Sequence, residues 1–250
     1  MPTLSSRNRI NEKSILYDTH IIQHVSLTSR IHKILLNKPI NFKHCAGQYI
    51  KLYIENGSYK FFSIANAPHS EQIELHIQSP YLISDPNPFL SNLLACNRIR
   101  ISKSLGNCIL PKVLKRAIIF IAGGCGFAQI KSLLEDLSMR ANVIFPVYLY
   151  WGVQSYSDAY YLKELRDLMR NNHWFHCDII LNSSSNNEKY VRIGYPTDFV
   201  FKDFPDLSNF DLYVSGPEIM VKTAYHLANK HRVCLEHFYT DCDIHKLKNE

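Results

Sequence analysis

Apolar and polar residues alternate with period two in short runs along the first hundred positions. The clearest run is Gln72-Ile73-Glu74-Leu75-His76-Ile77, the pattern of a strand with one face on a core and one toward water. Similar runs predict strands in the Tyr17–Val25 region and over His32–Leu36, Tyr49–Ile54, Lys60–Ala65, Ile73–Gln78 and Ile99–Ser102. Asn56-Gly57, between two of them, is a hairpin signal. Phe89–Ala95 reads as a helical insert. Six short strands with one insert predict a small antiparallel β-barrel.

The pattern changes at Lys112–Arg116. Ala117–Ala122 is a continuous apolar run, as expected of a strand buried on both faces. Phe127, Ile130, Leu133, Leu134 and Leu137 then fall at helical spacing. A second strand (Val147–Trp151) precedes a helix face of Tyr161, Leu162, Leu165, Leu168 and Met169. A third (Cys177–Leu181) and a fourth (Leu212–Val214) follow, then a helix with Met220, Val221, Ala224 and Leu227 inside. Strand and helix in alternation predict a doubly wound α/β domain with a parallel sheet. The expected organisation is a loose polar leader over 1–14, a β-barrel domain over 15–113 and a nucleotide-binding α/β domain over 114–250. Ser183-Ser184-Ser185-Asn186-Asn187 reads as a loop.

Composition narrows the function classes. Of 250 residues, 46% are hydrophobic and 20% charged, which is the balance of a folded globular protein. The net charge of +6 sits in the first half, where residues 1–113 carry 13 Lys and Arg against 6 Asp and Glu. That suits an anionic small molecule. The bases Lys33, Lys38, Lys43, Lys51 and Lys60 stand singly, so no nucleic-acid partner is expected. No apolar run approaches the ~18–20 residues of a membrane span. The first nine residues are polar with no apolar run behind them, so no secretory leader is expected. Cys45, Cys96, Cys108, Cys125, Cys177, Cys234 and Cys242 form no disulfide framework, and the expected compartment is the cytoplasm.

Two segments carry the chemistry. Ile121-Ala122-Gly123-Gly124-Cys125-Gly126-Phe127-Ala128 is a strand, a glycine turn and a helix start. Glycines let the backbone approach a phosphate, and the free N–H groups of the helix start favour an anion. The plainer alternative is a packing turn. No Asp or Glu follows about twenty residues on, so this is not the common dinucleotide fingerprint. Phe61-Phe62-Ser63-Ile64-Ala65-Asn66-Ala67-Pro68 sets a hydroxyl beside aromatic rings on a strand, which suits a flat redox ring.

Cys234, His237, Cys242 and His245 have short, zinc-like gaps. A strand over Leu235–Thr240 turns Cys234 and His237 to opposite faces, so no metal site is expected. His173 and His176, beside Trp174, read as a surface pair. No nucleophile elbow or paired-carboxylate spacing stands out. No plant-type Cys-x4-Cys-x2-Cys run is present, which argues against an iron–sulfur relay on this chain.

From about residue 15 to 243 the chain resembles the ferredoxin–NADP reductase superfamily, and within it the stand-alone bacterial NAD(P)H–flavin reductases. Lys60-Phe61-Phe62-Ser63 stands where the family has Arg-x-Tyr/Phe-Ser. The resemblance implies a flavin-binding set of Lys60, Phe61, Phe62, Ser63, Ile64, Ala65 and Ser91, with Ser63 as the catalytic residue whose hydroxyl bonds flavin N5. Gly123-Gly124-Cys125-Gly126 matches Gly-Gly-Thr-Gly. Tyr150-Trp151-Gly152 matches a strand end flanking the coenzyme ribose, and Ser215-Gly216-Pro217-Glu218-Ile219-Met220 matches Cys-Gly-Pro-x-x-Met. These imply an NAD(P)-binding set of Gly123, Gly124, Cys125, Gly126, Trp151, Gly152, Ser215, Gly216, Pro217 and Met220.

The departures bear on which flavin state is expected. Lys60 replaces an arginine that clamps the flavin phosphate, and a lysine lacks the bidentate fork. Pro88-Phe89-Leu90-Ser91 stands where larger flavoenzymes carry Gly-x-x-Ser. Ser215 replaces a cysteine, and Gln154 an arginine common in NADP-preferring relatives, so NADH or either coenzyme is expected. Asp241 falls at a frequent acidic position near the flavin. The resemblance thus implies hydride transfer from NADH or NADPH to riboflavin, FMN or FAD, with reduced flavin leaving for an acceptor enzyme, free iron or oxygen. Two other readings stay open: an FAD-holding reductase that passes electrons to a partner protein such as an oxygenase, and a non-catalytic nucleotide-binding relative. The pattern leaves the preferred flavin, the final acceptor and the oligomeric state open.

Overall fold

The alternating runs of the first half form seven strands in a computed structural model, which describes residues 15–54, 57–79, 89–96, 98–182 and 192–242. The expected leader, Asn56, Pro88, the Ser183–Asn187 loop and His245 lie outside the described residues. The strands are β1 (Leu16–Thr19), β2 (Ile21–Ser26), β3 (Ile31–Asn37), β4 (Tyr49–Tyr53), β5 (Tyr59–Ser63), β6 (Gln72–Gln78) and β7 (Ile99–Ser102), with α1 (Phe89–Ala95) before β7. They pair as β1-β7-β4-β5 and β2-β3-β6, and a bridge between Ile64 and Leu75 joins the two sheets. The run expected as one strand over Tyr17–Val25 is two: β1 pairs with β7 and β2 with β3, so the chain changes sheets at His20. Ile34, Leu36, Ile50, Leu52, Ile64, Ile73 and Leu75 are fully buried between the sheets, each contributing about 1.5–3 kcal/mol of transfer free energy. Gly57 takes φ +80 in the β4–β5 hairpin, a left-handed conformation suited to glycine.

The second half is a parallel sheet of β8 (Ala117–Gly123), β9 (Val147–Val153), β10 (Phe175–Leu181), β11 (Arg192–Ile193), β12 (Phe210–Ser215) and β13 (Phe238–Tyr239), in the order β11-β10-β9-β8-β12-β13. Helices α2 (Phe127–Ser138), α3 (Leu162–Asn171), α4 (Pro196–Asp203) and α5 (Glu218–Lys230) cover it. The continuous apolar run of β8 has a direct cause. Ile118, Phe120 and Ala122 pack into one core with α2, while Ile119 and Ile121 pack into another with α4 and α5. β11 and α4 had no counterpart in the sequence reading. The expected last strand over Leu235–Thr240 is instead a 3-10 turn at Leu235–His237 followed by two-residue β13. His237 N–H donates to Cys234 O at 2.8 Å and its ring lies 2.8 Å from Asp211, which curls the segment before it can extend. Cys234 is exposed.

Helix α2 ties the two halves together. Its apolar stripe enters the α/β core, yet Gln129, Lys131 and Ser132 are buried as well. Gln129 Nε2 donates to Gly47 O (2.7 Å), Ser132 Oγ to Asn66 O (2.8 Å) and Lys131 Nζ to Ala65 O (3.1 Å). Ala67 N–H donates to Glu135 Oε2 at 2.9 Å. The polar stripe of the helix therefore satisfies backbone groups of the barrel that water no longer reaches.

Candidate active site

β8 is followed on one side by β9 and on the other by β12, so the strand order reverses between β8 and β12. In open parallel sheets the crevice at the strand C-termini beside such a reversal is where ligands bind. A cavity of about 880 Å³ lies there. Its floor is built of glycines that no larger residue can replace in place. A Cβ on Gly126 meets the Ser215 carbonyl carbon at 2.5 Å and Gly216 N at 2.6 Å. On Gly123 it meets Met220 Sδ and Pro217 Cδ at 2.8 Å, and on Gly152 it meets Pro196 Cδ at 2.9 Å. Gly124 turns the chain at φ +51 with nothing within 4 Å of a Cβ, so it faces open space. Backbone this bare and this close to a helix start fits a dinucleotide with an anionic diphosphate.

Of the sequence-predicted coenzyme residues, Gly123, Gly124, Cys125, Gly126, Gly152, Ser215, Gly216, Pro217 and Met220 line this cavity. Trp151 does not. It is fully buried, stacked on Phe127 at 4.0 Å, and its Nε1–H donates to Gly124 O at 3.0 Å. Its place is beneath the turn, which it braces, and not along a ribose. Cys125 is enclosed at the junction, where its thiol donates to His76 O on β6 at 3.3 Å. Burial pushes the thiol up to about 12, so it stays protonated and acts as a donor tying the turn to the barrel.

The predicted flavin residues lie apart from that lining, with Lys60, Phe61, Phe62 and Ser63 on β5 at the edge of its sheet. Lys60 and Phe62 share one side: Phe62 packs against Phe89 of α1 (ring centroids 5.7 Å) and Lys60 Nζ lies over the same ring at 5.1 Å. Lys60 makes no ion pair among the described residues. The half-buried Ser63 has a hydroxyl with no partner among the described residues. A spare hydroxyl, a half-buried ring and an unpaired cation on one strand fit a phosphorylated aromatic ligand. Phe61 points to the other face, against Tyr49 (5.7 Å) and Tyr59 (5.8 Å). Ile64 and Ala65 are fully buried, with N–H groups bound to Gln48 O and Glu74 O, so their side chains belong to the core and not to a ligand surface. Ser91 is exposed on α1.

Beside this strand lies a buried polar cluster. His76 Nε2 is 2.7 Å from Glu74 Oε1 and its Nδ1 is 2.9 Å from Tyr160 Oη. Burial lowers the pKa of His76 and raises that of Tyr160. Burial also pushes Glu74 up, but bonds from His76 and the charge of Lys131 outweigh it and hold the carboxyl at about 2. An ionised Glu74 only accepts, so the neutral imidazole donates from Nε2 and accepts a hydrogen bond from the Tyr160 hydroxyl at Nδ1. Lys131 pairs with Glu74 (3.3 Å) and with Glu135. Asp241 has its carboxyl raised to about 6 by burial, against bonds from Gln129 and the Cys108 backbone, although the rest of the residue is exposed.

Comparison with known proteins agrees with this geometry. Residues 120–226 match the oxidoreductase NAD-binding domain family. The chain is 36% identical over 206 residues to a probable flavin reductase of Aliivibrio fischeri, covering 80% of this chain and 85% of that one. The chain belongs to the flavin reductases of the ferredoxin–NADP reductase superfamily. A second member, the probable flavin reductase of Photobacterium leiognathi, is 32% identical and matches 78% of this chain and 84% of its own. The fold is also that of a cytochrome P450 reductase from Amycolatopsis (TM-score 0.78, 23% identity, 90% of this chain and 69% of that one). For a flavin reductase, several cavity residues had escaped the sequence reading: Arg30, Asp158, Tyr195, Thr197 and Asp198. Gly194-Tyr195-Pro196 carries a local signal, a glycine turn with Pro at the first turn of a helix. Arg30 carries none, since its partners Gln154 and Asp158 are 124 and 128 residues away.

Proposed function

We propose that this chain is an NAD(P)H:flavin oxidoreductase that transfers a hydride from NADH or NADPH to riboflavin, FMN or FAD. The observation that carries the proposal is the glycine cradle at the sheet's switch point, in a flavin reductase chain whose barrel abuts that cavity. The coenzyme and flavin supply the redox chemistry, and the protein supplies proximity and alignment. The glycine turn and the Ser215–Met220 segment hold the coenzyme, Trp151 braces the turn, and Cys125 ties it to β6. On β5, Phe62 packs against the flavin ring. Ser63 bonds N5, donating or accepting as the proton on N5 requires. Lys131 holds the carbonyl of Ala65, two residues beyond, and so fixes the strand end. We assign flavin binding to residues 15–113 and coenzyme binding to 114–250.

Flavin is a substrate in this proposal. Lys60 offers a phosphate a single point charge and no fork, which supports binding and release over permanent retention. The likeness to a P450 reductase supports the second reading, an FAD-holding component that passes electrons to a partner protein. No helix among the described residues is long and apolar enough to cross a membrane. All seven cysteines are unpaired, which supports a reducing compartment and, as our proposal, the cytoplasm. The test is oxidation of NADH and NADPH by purified protein, with and without each flavin. Turnover that saturates with added flavin is expected. A protein that stays yellow through gel filtration and reduces only a protein or dye acceptor would replace this proposal with the second reading.

A further inference from the structure

Arg30 is the only cation among the described residues that line the cavity, whose lining also includes the carboxylates Asp158 and Asp198. It comes from the barrel side, at the β2–β3 turn. Its backbone is fixed there: Thr28 Oγ1 accepts from Arg30 N (3.1 Å) and Ile31 N (2.9 Å), and Ser79 N donates to Arg30 O at 2.8 Å. The guanidinium crosses to the opposite half, where it donates to Gln154 Oε1 and, at 2.8 Å, to Asp158 Oδ2. The arginine side chain is 21% exposed and that of Asp158 11%. Asp158 does not depend on it, because Ser155 N (3.1 Å) and Ser155 Oγ (2.8 Å) donate to the same oxygen.

A diphosphate entering this cavity brings about two negative charges toward those carboxylates. Backbone N–H groups at a helix start supply only partial positive charge. We infer that Arg30 is the diphosphate-binding cation of the coenzyme site, contributed by the flavin half and held ready by Asp158 until the dinucleotide displaces that carboxylate. A guanidinium fork suits two phosphate oxygens better than an ammonium. The exchange leaves Asp158 still bonded to Ser155, so no carboxylate is stranded. Because Arg30 is rooted in the barrel, it also secures the coenzyme to the half that presents Ser63. The inference rests on the coenzyme reading of this cavity.

The test is calorimetric titration of the full chain with ADP-ribose, which carries the diphosphate and no nicotinamide, and with adenosine, which carries no phosphate. Arg30→Ala is expected to raise the ADP-ribose Kd about tenfold and leave adenosine unchanged, with Arg30→Lys between it and the unaltered protein. Asp158→Asn is expected to tighten ADP-ribose severalfold, since it frees the guanidinium. A melting temperature within a few degrees of the unaltered protein verifies that each variant is folded. An Arg30→Ala Kd within twofold of the unaltered value, or an equal loss of adenosine, overturns the assignment of Arg30. Failure of the unaltered chain to bind either molecule overturns the coenzyme reading of the cavity and the inference with it.

Discussion

Gly126 is the position where one carbon atom should do most damage to the proposed coenzyme site. In Gly126→Ala the new methyl meets the Ser215 carbonyl carbon at 2.5 Å and Gly216 N at 2.6 Å. Ordinary contact begins near ~3.4 Å, so about 0.8–0.9 Å must be found at those two atoms, and more at the Ser215 carbonyl oxygen, between rigid bodies packed at crystalline density. On one side β12 is paired to β8 through Val214↔Ile121 and Ser215↔Ala122. On the other, α2 is anchored by fully buried Phe127, Ile130 and Leu133. Overpacking of this kind costs about 1–3 kcal/mol, or a melting temperature lower by about 2–12 °C in a chain of this size. A displacement near 1 Å in a positioning element also costs up to about a hundredfold in rate. The control is Gly124→Ala in the same turn. There the penalty is the left-handed backbone at φ +51, with nothing within 4 Å, and about 1–2 kcal/mol is expected. The assay is kcat and KM for NADH at saturating flavin, with thermal melting in parallel. Gly126→Ala should raise KM at least tenfold and leave the flavin KM within twofold. An NADH KM within twofold of the unaltered protein, with a smaller melting shift than Gly124→Ala, would refute the packing argument.

Three further outcomes follow from the flavin side and the junction. Ser63→Ala should keep the melting temperature, since the hydroxyl has no described partner, and lower kcat about tenfold for one lost hydrogen bond of ~1.4 kcal/mol; unchanged turnover at saturating flavin would remove Ser63 from the chemistry. Lys131→Met strands Glu74 and Glu135 and takes the donor from Ala65 O. It should cost about 3–5 kcal/mol in denaturant unfolding, and a loss under 1 kcal/mol would mean the cluster is well hydrated. Glu74, held at about 2 against an ordinary 4.5, contributes stability that is complete above pH ~5 and lost as pH falls toward 2. The size is about 3 kcal/mol, and Glu74→Gln should flatten that limb of the stability profile; an unchanged acid limb would show that Glu74 is not its source.

The order of elements was legible because it rests on local periodicity. The apolar run of β8 has its alternate residues in two different cores, and a strand buried on both faces leaves that trace in any sequence. The glycine turn was legible for a related reason: a continuous apolar run, a run of glycines and a helically spaced apolar stripe follow one another directly in the chain. Local pattern misled where a neighbour distant in the chain decided the outcome. Alternation along β6 put Glu74 and His76 on a solvent face, but α2 and Tyr160 cover that face and turn two surface groups into a buried network. Trp151 entered the expected coenzyme set through the resemblance of Tyr150-Trp151-Gly152 to a strand end that flanks the coenzyme ribose. Which face of β9 receives α2 is set by packing, and that packing put the indole under the turn.

Composition, periodicity and the two motifs were enough to specify a barrel followed by a parallel sheet, and the glycine turn between β8 and α2 with them. The elements and the turn depend on residues near one another in the chain, whereas the pairing of β1 with β7 and the meeting of Gly126 with Ser215 do not. The junction depended on the tertiary structure, because Arg30 meets Asp158 and Lys131 meets Ala65 only after the two halves have docked. A charge on a surface and the same charge in a cleft have the same spelling, and only its neighbours give it a partner, a shifted pKa or a ligand.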